Sequence, residues 1–237
     1  ECNLRASRSF PFVSKILRQN FIDTATRVTM GAPVPPIDKT IFELNYVGVK
    51  APQFSFTRLE GADPTLGVEM ASTGEVGCLG NDFDEAFLKS LLSVGFTFPL
   101  KTVLLSVGHI KDKAEMLAPI RMLERLGVTL YATEGTAVFL EEHGVGVTPV
   151  AWPLNGEPPT AVDRLKSGEI DLVINIPKSD RQDELTNGYM IRRAAADYDI
   201  PLITNRQIAA RLCEALSRTD MSELEIKPWS AYETSGV

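Results

Sequence analysis

Two groups of residues in this 237-residue chain have the types and spacing to do chemistry. The first opens it. Glu1 and Asn3 are two positions apart, so on a strand their side chains share a face, where carboxylate and amide oxygens could hold Mg²⁺ against nucleotide phosphates. Arg5 and Arg8 follow and could neutralise the phosphate charge. The same spacing also describes a polar edge strand followed by a basic turn.

The second group is spread through the C-terminal half, in polar loops that each follow a β-branched run. Ser106 ends one such run, and Lys113 falls in the first turn of the helix expected next. Thr133-Glu134-Gly135-Thr136 follows another, with Gly135 for a tight turn and Thr136 to cap a helix. A helix N-terminus with free N–H groups and two hydroxyls is a site for phosphate or carboxylate. Taken alone, Thr136 is more simply an ordinary N-cap. Asn175 and Lys178 add an amide and a cation from the run Ile174-Asn175-Ile176-Pro177-Lys178-Ser179, although a lone asparagine is also a common turn stabiliser. Three such loops at one edge of a sheet would make a common pocket.

The elements that must position these loops are legible in the hydrophobic pattern. Strands are expected at Thr102 to Val107, Val128 to Ala132, Val147 to Val150, Leu172 to Ile176 and Leu202 to Thr204. Helices fit Asp112 to Leu126, Thr136 to His143, Ala161 to Lys166, Tyr189 to Tyr198 and Arg206 to Ser217. This alternation predicts an α/β fold, a Rossmann-like parallel five-stranded sheet with helices on both faces and ligands at the carboxyl ends of the strands. Residues 102–217 are expected to have a core separate from that of residues 1–99.

The first 99 residues are Pro-punctuated, with a loop at Gly31 to Pro36, a strand or strand pair within Tyr46 to Phe56 and a helix at Phe83 to Val94. Gly95 to Lys101, containing Pro99, reads as the linker. The tail from Thr219 to Val237 has no sustained period, and Ile226 and Trp229 are its candidates for packing back.

The net charge of −7 argues against a nucleic-acid or anionic-membrane surface, and no apolar run reaches the roughly 20 residues of a membrane span. Three scattered cysteines, Cys2, Cys78 and Cys213, do not have disulfide-framework or zinc spacing and suggest a reducing compartment. His109 and His143 are too far apart in sequence to suggest a metal site or a catalytic triad.

The opening run Glu1 to Lys15, the run Gly67 to Val76 and the C-terminal third together resemble the large subunit of carbamoyl phosphate synthetase, over essentially the whole chain. The resemblance implies the end of the second ATP-grasp domain at residues 1–99, an α+β tail, then a methylglyoxal-synthase-like allosteric domain at 100–218 and a C-terminal tail at 219–237. The second part rests on Ala132-Thr133-Glu134-Gly135-Thr136, Leu172-Val173-Ile174-Asn175 and Ile191-Arg192-Arg193 occurring in that order. By this resemblance Glu1 and Asn3 bind the catalytic metals, Mg²⁺ or Mn²⁺, and Arg5 and Arg8 lie by the phosphates of ATP.

In nucleotide-regulated members, Ser106, Lys113, Thr133, Thr136 and Asn175 correspond to residues around the effector phosphate. In N-acetylglutamate-regulated members the site is lined by the two threonines, Trp152-Pro153, Asn175 and Asn187. Trp152 stands where nucleotide-regulated members commonly have a lysine, and Lys178 stands where the acetylglutamate type has a second asparagine. Ala51 follows Lys50 where ornithine-activated members have an acid, so it cannot neutralise an ornithine amine.

The intact protein would make carbamoyl phosphate from bicarbonate and ammonia, the ammonia free or supplied by a glutaminase small subunit or domain. It would be cytoplasmic or in the mitochondrial matrix, controlled by a small anionic effector, a nucleotide monophosphate or N-acetylglutamate. No membrane or nucleic-acid partner is expected, any targeting peptide would lie upstream, and this stretch alone would be inactive. Two other readings are a stand-alone binding module and a methylglyoxal-synthase-type lyase. The lyase needs an aspartate in a Gly-Gly-Asp run, and Asp180 lacks the glycines.

Overall fold

The computed structural model describes residues 9–36, 40–65, 73–154, 156–178 and 185–232. Glu1, Asn3, Arg5, Arg8 and Asp180 lie outside the described residues, as does most of the run from Gly67 to Val76.

The first described elements are two helices that the sequence pattern concealed, α1 (Ser9–Leu17) and α2 (Phe21–Thr29). Pro11 reads as a helix breaker, but it lies in the first turn of α1, where no intrahelical acceptor is needed for its missing N–H. The stretch from Ser9 to Lys15 is therefore helical rather than a basic turn. Strands β1 (Val47–Gln53) and β2 (Gly74–Gly80) pair antiparallel in continuous register from Val47 opposite Gly80 to Gln53 opposite Gly74. Helix α1 seats on this ribbon over two glycines. A Cβ on Gly48 would lie 2.2 Å from Ile16 Cδ1, and one on Gly77 would lie 2.7 Å from the Phe12 ring.

Helix α3 (Phe83–Ser93) follows, capped by Asp82, whose side chain accepts the Glu85 N–H at 2.8 Å. It is buried continuously from Ala86 to Leu91, more than one full turn, so it is covered on every side. One side meets the ribbon. The other joins the core of the parallel sheet.

That sheet comprises β3 (Thr102–Val107), β4 (Thr129–Thr133), β5 (Thr148–Val150), β6 (Leu172–Ile176) and β7 (Leu202–Ile203), all parallel, in the order β5-β4-β3-β6-β7. The helices between and after them are α4 (Ile110–Arg125), α5 (Glu134–Glu142), α6 (Ala161–Lys166), α7 (Leu185–Asp197) and α8 (Arg206–Arg218). Side chains alternate along each strand. Val103, Leu105, Val107, Leu172 and Ile174 share a core with α3, α4, α5 and α8, whereas Leu104 and Val173 pack with α6 and α7 on the opposite face.

The expected strands and helices are present with small shifts at their ends, and the α/β, parallel five-stranded architecture is the observed one. The expectation of separate cores fails. Phe87, Leu88 and Leu91 of α3 belong to the same buried cluster as the sheet, and so does Leu100 of the supposed linker, with Phe96 and Phe98 packed against it. The reason is α3's second apolar side, which α8 covers. Its polar rim is closed by Arg211, which pairs with Asp84 and lies 4.6 Å from the Phe83 ring centroid.

The tail returns to the N-terminal part, where Trp229 makes the expected contact but Ile226 does not. Ile226 stays 85% exposed and Trp229 is half-exposed beneath Arg18, whose guanidinium lies 5.2 Å from the ring centroid. Tyr232 is the buried anchor. Its ring meets Tyr46 edge-on at 5.7 Å, its hydroxyl donates to Leu79 O at 2.8 Å and accepts from Lys89 Nζ at 2.9 Å. Lys89 also pairs with Glu85. Tyr232→Ala should therefore cost about 3–5 kcal/mol, the scale for deleting a buried aromatic ring. Urea unfolding checks it, and a loss below about 1 kcal/mol would mean that the tail is not anchored there.

Candidate functional site

The strand order places β3 at the point where the chain reverses direction across the sheet, since β4 and β5 lie to one side of it and β6 and β7 to the other. Clefts at the carboxyl ends of strands open at such a point. Ser106 on β3 and Asn175 on β6 are direct register partners across it. Thr133, the last residue of β4, donates its hydroxyl to Ser106 Oγ at 3.3 Å. All three are at least nine-tenths buried, with 7%, 2% and 1% exposure for Ser106, Asn175 and Thr133. A cluster of neutral donors and acceptors thus sits on the α6/α7 face of the sheet.

Thr133 occupies the N-cap position of α5 without making a side-chain cap bond, so its hydroxyl remains directed to Ser106. Helix α5 starts at Glu134, two residues earlier than expected. Thr136 is therefore inside the helix and is not its cap. Its Oγ1 accepts the Val107 N–H at 3.0 Å and donates to Val107 O at 3.3 Å, which ties α5 to the end of β3. Gly135 lies in the first helical turn, and its carbonyl accepts a hydrogen bond from Lys113 Nζ on α4.

Lys113 has its pKa held below the ordinary lysine value, first by desolvation and then by the charge of Lys178. Lys178 is exposed on the loop after β6, and that loop crosses close to Gly108, where a Cβ would lie 2.5 Å from Lys178 Cα. Only a glycine lets the ends of β3 and β6 approach so closely. Two ammonium groups near a helix N-terminus make a place where an anion is favoured.

On the β5 side, Trp152 is half-buried against the α6/α7 cluster, two residues beyond Val150, the register partner of Thr133. Asn187 lies within α7, and its Oδ1 accepts the Leu154 N–H at 3.0 Å, which fastens the turn after Trp152 to that helix. Trp152 and Asn187 therefore build one wall, and Ser106, Thr133 and Asn175 the floor. Residues 179–184, which follow Lys178, lie outside the described residues.

Sequence reasoning missed the group that meets Asn175 from α7. Arg192 of α7 is 1% exposed; its NH1 donates to Asn175 Oδ1 at 2.9 Å, and its Nε and NH2 donate to Asp63 Oδ1 and Oδ2 at 2.8 and 2.6 Å. Burial alone would raise the Asp63 pKa, but Arg192 and hydrogen bonds from Thr65 outweigh it and hold the carboxyl below its ordinary value. Arg193 donates to the carbonyls of Phe56, Leu59 and Ala62 at 2.9–3.0 Å, and Tyr189 Oη to that of Gly61 at 2.9 Å. The pair Arg192-Arg193 was visible in the sequence. Arg193 also pairs with Asp197 one turn further along α7, but the partners in the 56–63 stretch, far away in the chain, were not visible there.

Among the described residues no group of His, Cys, Asp or Glu is placed to hold a metal ion, and no helix is long and apolar enough to cross a membrane. Cys213 is buried in the core, which pushes its thiol up to about 12. A cavity of about 900 Å³ lies away from the cleft, between α1, β2, α3 and the tail.

The doubly covered parallel sheet with this polar strand-end cleft is an MGS-like domain, and residues 115–204 match that family. Relatives extend over far more of the chain. It is 48% identical over 236 residues to the multifunctional protein URA2 of Saccharomyces cerevisiae, covering 94% of this chain and 11% of that protein. It is 47% identical over 230 residues to the multifunctional protein CAD of Squalus acanthias, covering 91% and 10%. To the human mitochondrial carbamoyl-phosphate synthase [ammonia] it is 45% identical over 228 residues, covering 92% and 15%. A methylglyoxal synthase from Elizabethkingia anophelis aligns with TM-score 0.37 and 21% identity, over 58% of this chain and 93% of that one.

The chain belongs to the carbamoyl phosphate synthetase large-subunit family and contains its MGS-like domain. It spans between 10% and 15% of the length of these relatives.

Thr136→Val tests the structural part of the site. It keeps the shape but removes both bonds to Val107, leaving a buried N–H unsatisfied, so it should cost about 1–3 kcal/mol. Denaturant unfolding measures this. Thr133→Val should cost less, because its hydroxyl has a single long partner.

Proposed function

We propose that this chain is the C-terminal part of a carbamoyl phosphate synthetase large chain and that its MGS-like domain binds a small anionic regulator at the strand-end cleft. Residues 1–99 are assigned to the end of an ATP-grasp domain, 100–218 to the regulatory domain and 219–237 to its tail. The observation that carries the regulatory reading is the convergence of Ser106, Thr133 and Asn175 at the ends of three adjacent strands, with Lys113 beside them. Hydroxyl and amide donors can address carboxylate or phosphate oxygens, the two lysines supply charge, and Trp152 offers an apolar wall.

The whole protein would use ATP to convert bicarbonate and ammonia to carbamoyl phosphate, the ammonia free or delivered by a glutaminase subunit or domain. Mg²⁺ or Mn²⁺ would screen phosphate charge at a site to which Glu1, Asn3, Arg5 and Arg8 contribute, and residues 1–237 would be inactive alone. The overall reaction is supported by the carbamoyl-phosphate synthase relative named above, and the residue roles by the resemblance of the opening run to that family. For the regulator, we favour N-acetylglutamate over a nucleotide monophosphate, because the half-buried Trp152 supplies an apolar wall and no further point charge for a phosphate, and Asn187 is bound to the turn that follows it.

A thermal-shift panel of UMP, IMP, N-acetylglutamate and ornithine tests this on the full-length polypeptide, since a ligand that binds the folded state raises its melting temperature. N-acetylglutamate should shift it and ornithine should not. Thr133→Ala should weaken that ligand roughly ten- to 150-fold, the equivalent of about 1.5–3 kcal/mol for a lost bond to a charged group. A response unchanged by Thr133→Ala would place the ligand elsewhere.

The lowered pKa of Lys113 gives a second expectation. A bound anion favours the ammonium, so the pKa is higher in the complex than in the free protein, and binding takes up protons. Affinity should therefore be full at neutral pH and fall as the pH rises through the free-state value, below the ordinary 10.5. Titration calorimetry across alkaline pH reads this, and Lys113→Met should remove the contribution.

A further inference from the structure

We infer that Arg192 is the positioning residue of the cleft and its mechanical link to the rest of the chain: it orients the Asn175 amide and ties that orientation to Asp63. The ligand arm of the argument rests on the cleft reading above. The link itself does not.

A guanidinium has donors and no acceptor, so the Asn175 atom facing Arg192 must be the oxygen. With Oδ1 so engaged, the amide N–H₂ is the end left to donate to a ligand. A ligand that binds this N–H₂ therefore favours the same amide orientation that Arg192 requires. Asp63 fixes the other edge of the guanidinium by two bonds, and a planar fork held at Nε, NH2 and NH1 cannot satisfy one partner independently of the other. There is little slack, because even a Cβ on Gly188 would lie 3.1 Å from NH1.

Asp63 follows a stretch that α7 holds along its length, through Arg193 and Tyr189 to carbonyls between residues 56 and 62. Arg192 differs from those two because it also touches a strand. Asn175 and Asp63 lie on different parts of the fold and share no hydrogen bond. Any coupling between them through Arg192 is then a property of the link and not of a direct contact.

Hydrogen exchange in the full-length polypeptide can read that coupling. The amides of Arg58, Leu59 and Ala62 are hydrogen-bonded within the loop and serve as probes. Asn175→Ala should raise their exchange by roughly 5- to 150-fold, the usual range of coupling between sites. Thr133→Ala, in the same cleft but without a bond to Arg192, should leave them unchanged. Asp63→Asn should raise them, and the double variant Asp63→Asn with Asn175→Ala should exchange no faster than the faster single variant. Asn175→Asp retains an acceptor for Arg192 and removes the N–H₂, so loop protection should survive it while ligand binding is lost, and protection of β3 amides reports that the fold is intact.

The inference is overturned if Asn175→Ala leaves loop exchange at the wild-type level, if Thr133→Ala raises it equally, or if the double variant is additive. With N-acetylglutamate or UMP as probe, Asp63→Asn should weaken binding at least about fivefold, the lower end of the same range. Binding by wild type that Asp63→Asn leaves unchanged would overturn the link and spare the cleft. If neither probe binds, the cleft reading fails, and the exchange comparison still decides the link.

Discussion

The structure depends on two arginines that a helix buries. Arg192 and Arg193 leave α7 on its inner side, 1% and 8% exposed, and a guanidinium so placed must have its N–H groups met by acceptors. The sheet supplies one acceptor, Asn175. Asp197, one turn further along α7, accepts from Arg193, and the remaining acceptors come from a loop more than a hundred positions earlier in the chain, through the Asp63 carboxylate and the carbonyls of Phe56, Leu59 and Ala62. Separating the ribbon's loop from the sheet would leave the buried Arg192 without its carboxylate and would strip Arg193 of three carbonyl acceptors, with only Asp197 remaining to it. Such a loss typically costs about 3–5 kcal/mol per broken pair, so the loop is held to the helix far more firmly than its lack of regular structure suggests.

The same helix sets the character of the cleft. Its Asn187 fastens the turn that carries Trp152, and its Arg192 fixes Asn175, so wall and floor are both positioned from α7. The hydroxyls divide between two tasks. Thr136 belongs to the frame, because Val107 engages its hydroxyl as both donor and acceptor, whereas Ser106 and Thr133 are joined by one long bond and retain capacity for a ligand. Electrostatics then favours an anion, since Lys113 is partly desolvated and faces the charge of Lys178.

A second connection runs through α3, whose continuous burial makes the ribbon and the sheet parts of one hydrophobic core. Tyr232 closes it from outside by bringing the tail onto Tyr46, Leu79 and Lys89. A change in the cleft thus has two physical routes toward the N-terminal part, a polar one through Arg192 and an apolar one through α3. Only the polar route begins at a residue of the cleft itself.

The sequence by itself determined the parallel sheet and most of its helices, because buried strands and amphipathic helices each write a period into the chain that needs no distant partner. It also determined that Ser106, Thr133 and Asn175 end strands, and strand ends in such a sheet meet at one edge. Helices α1 and α2 escaped because Pro11 and short length weaken a period, and the shared core escaped because α3's second apolar side looks the same whether it meets solvent, a ribbon or α8. Tertiary structure alone decided that Thr136 braces β3, that Tyr232 rather than Ile226 anchors the tail, and that Arg192 joins Asn175 to Asp63. Those outcomes depend on which hydrogen-bonding groups are left unpaired once the chain has folded, and a buried donor finds its acceptor by proximity in space, which the order of residues does not record.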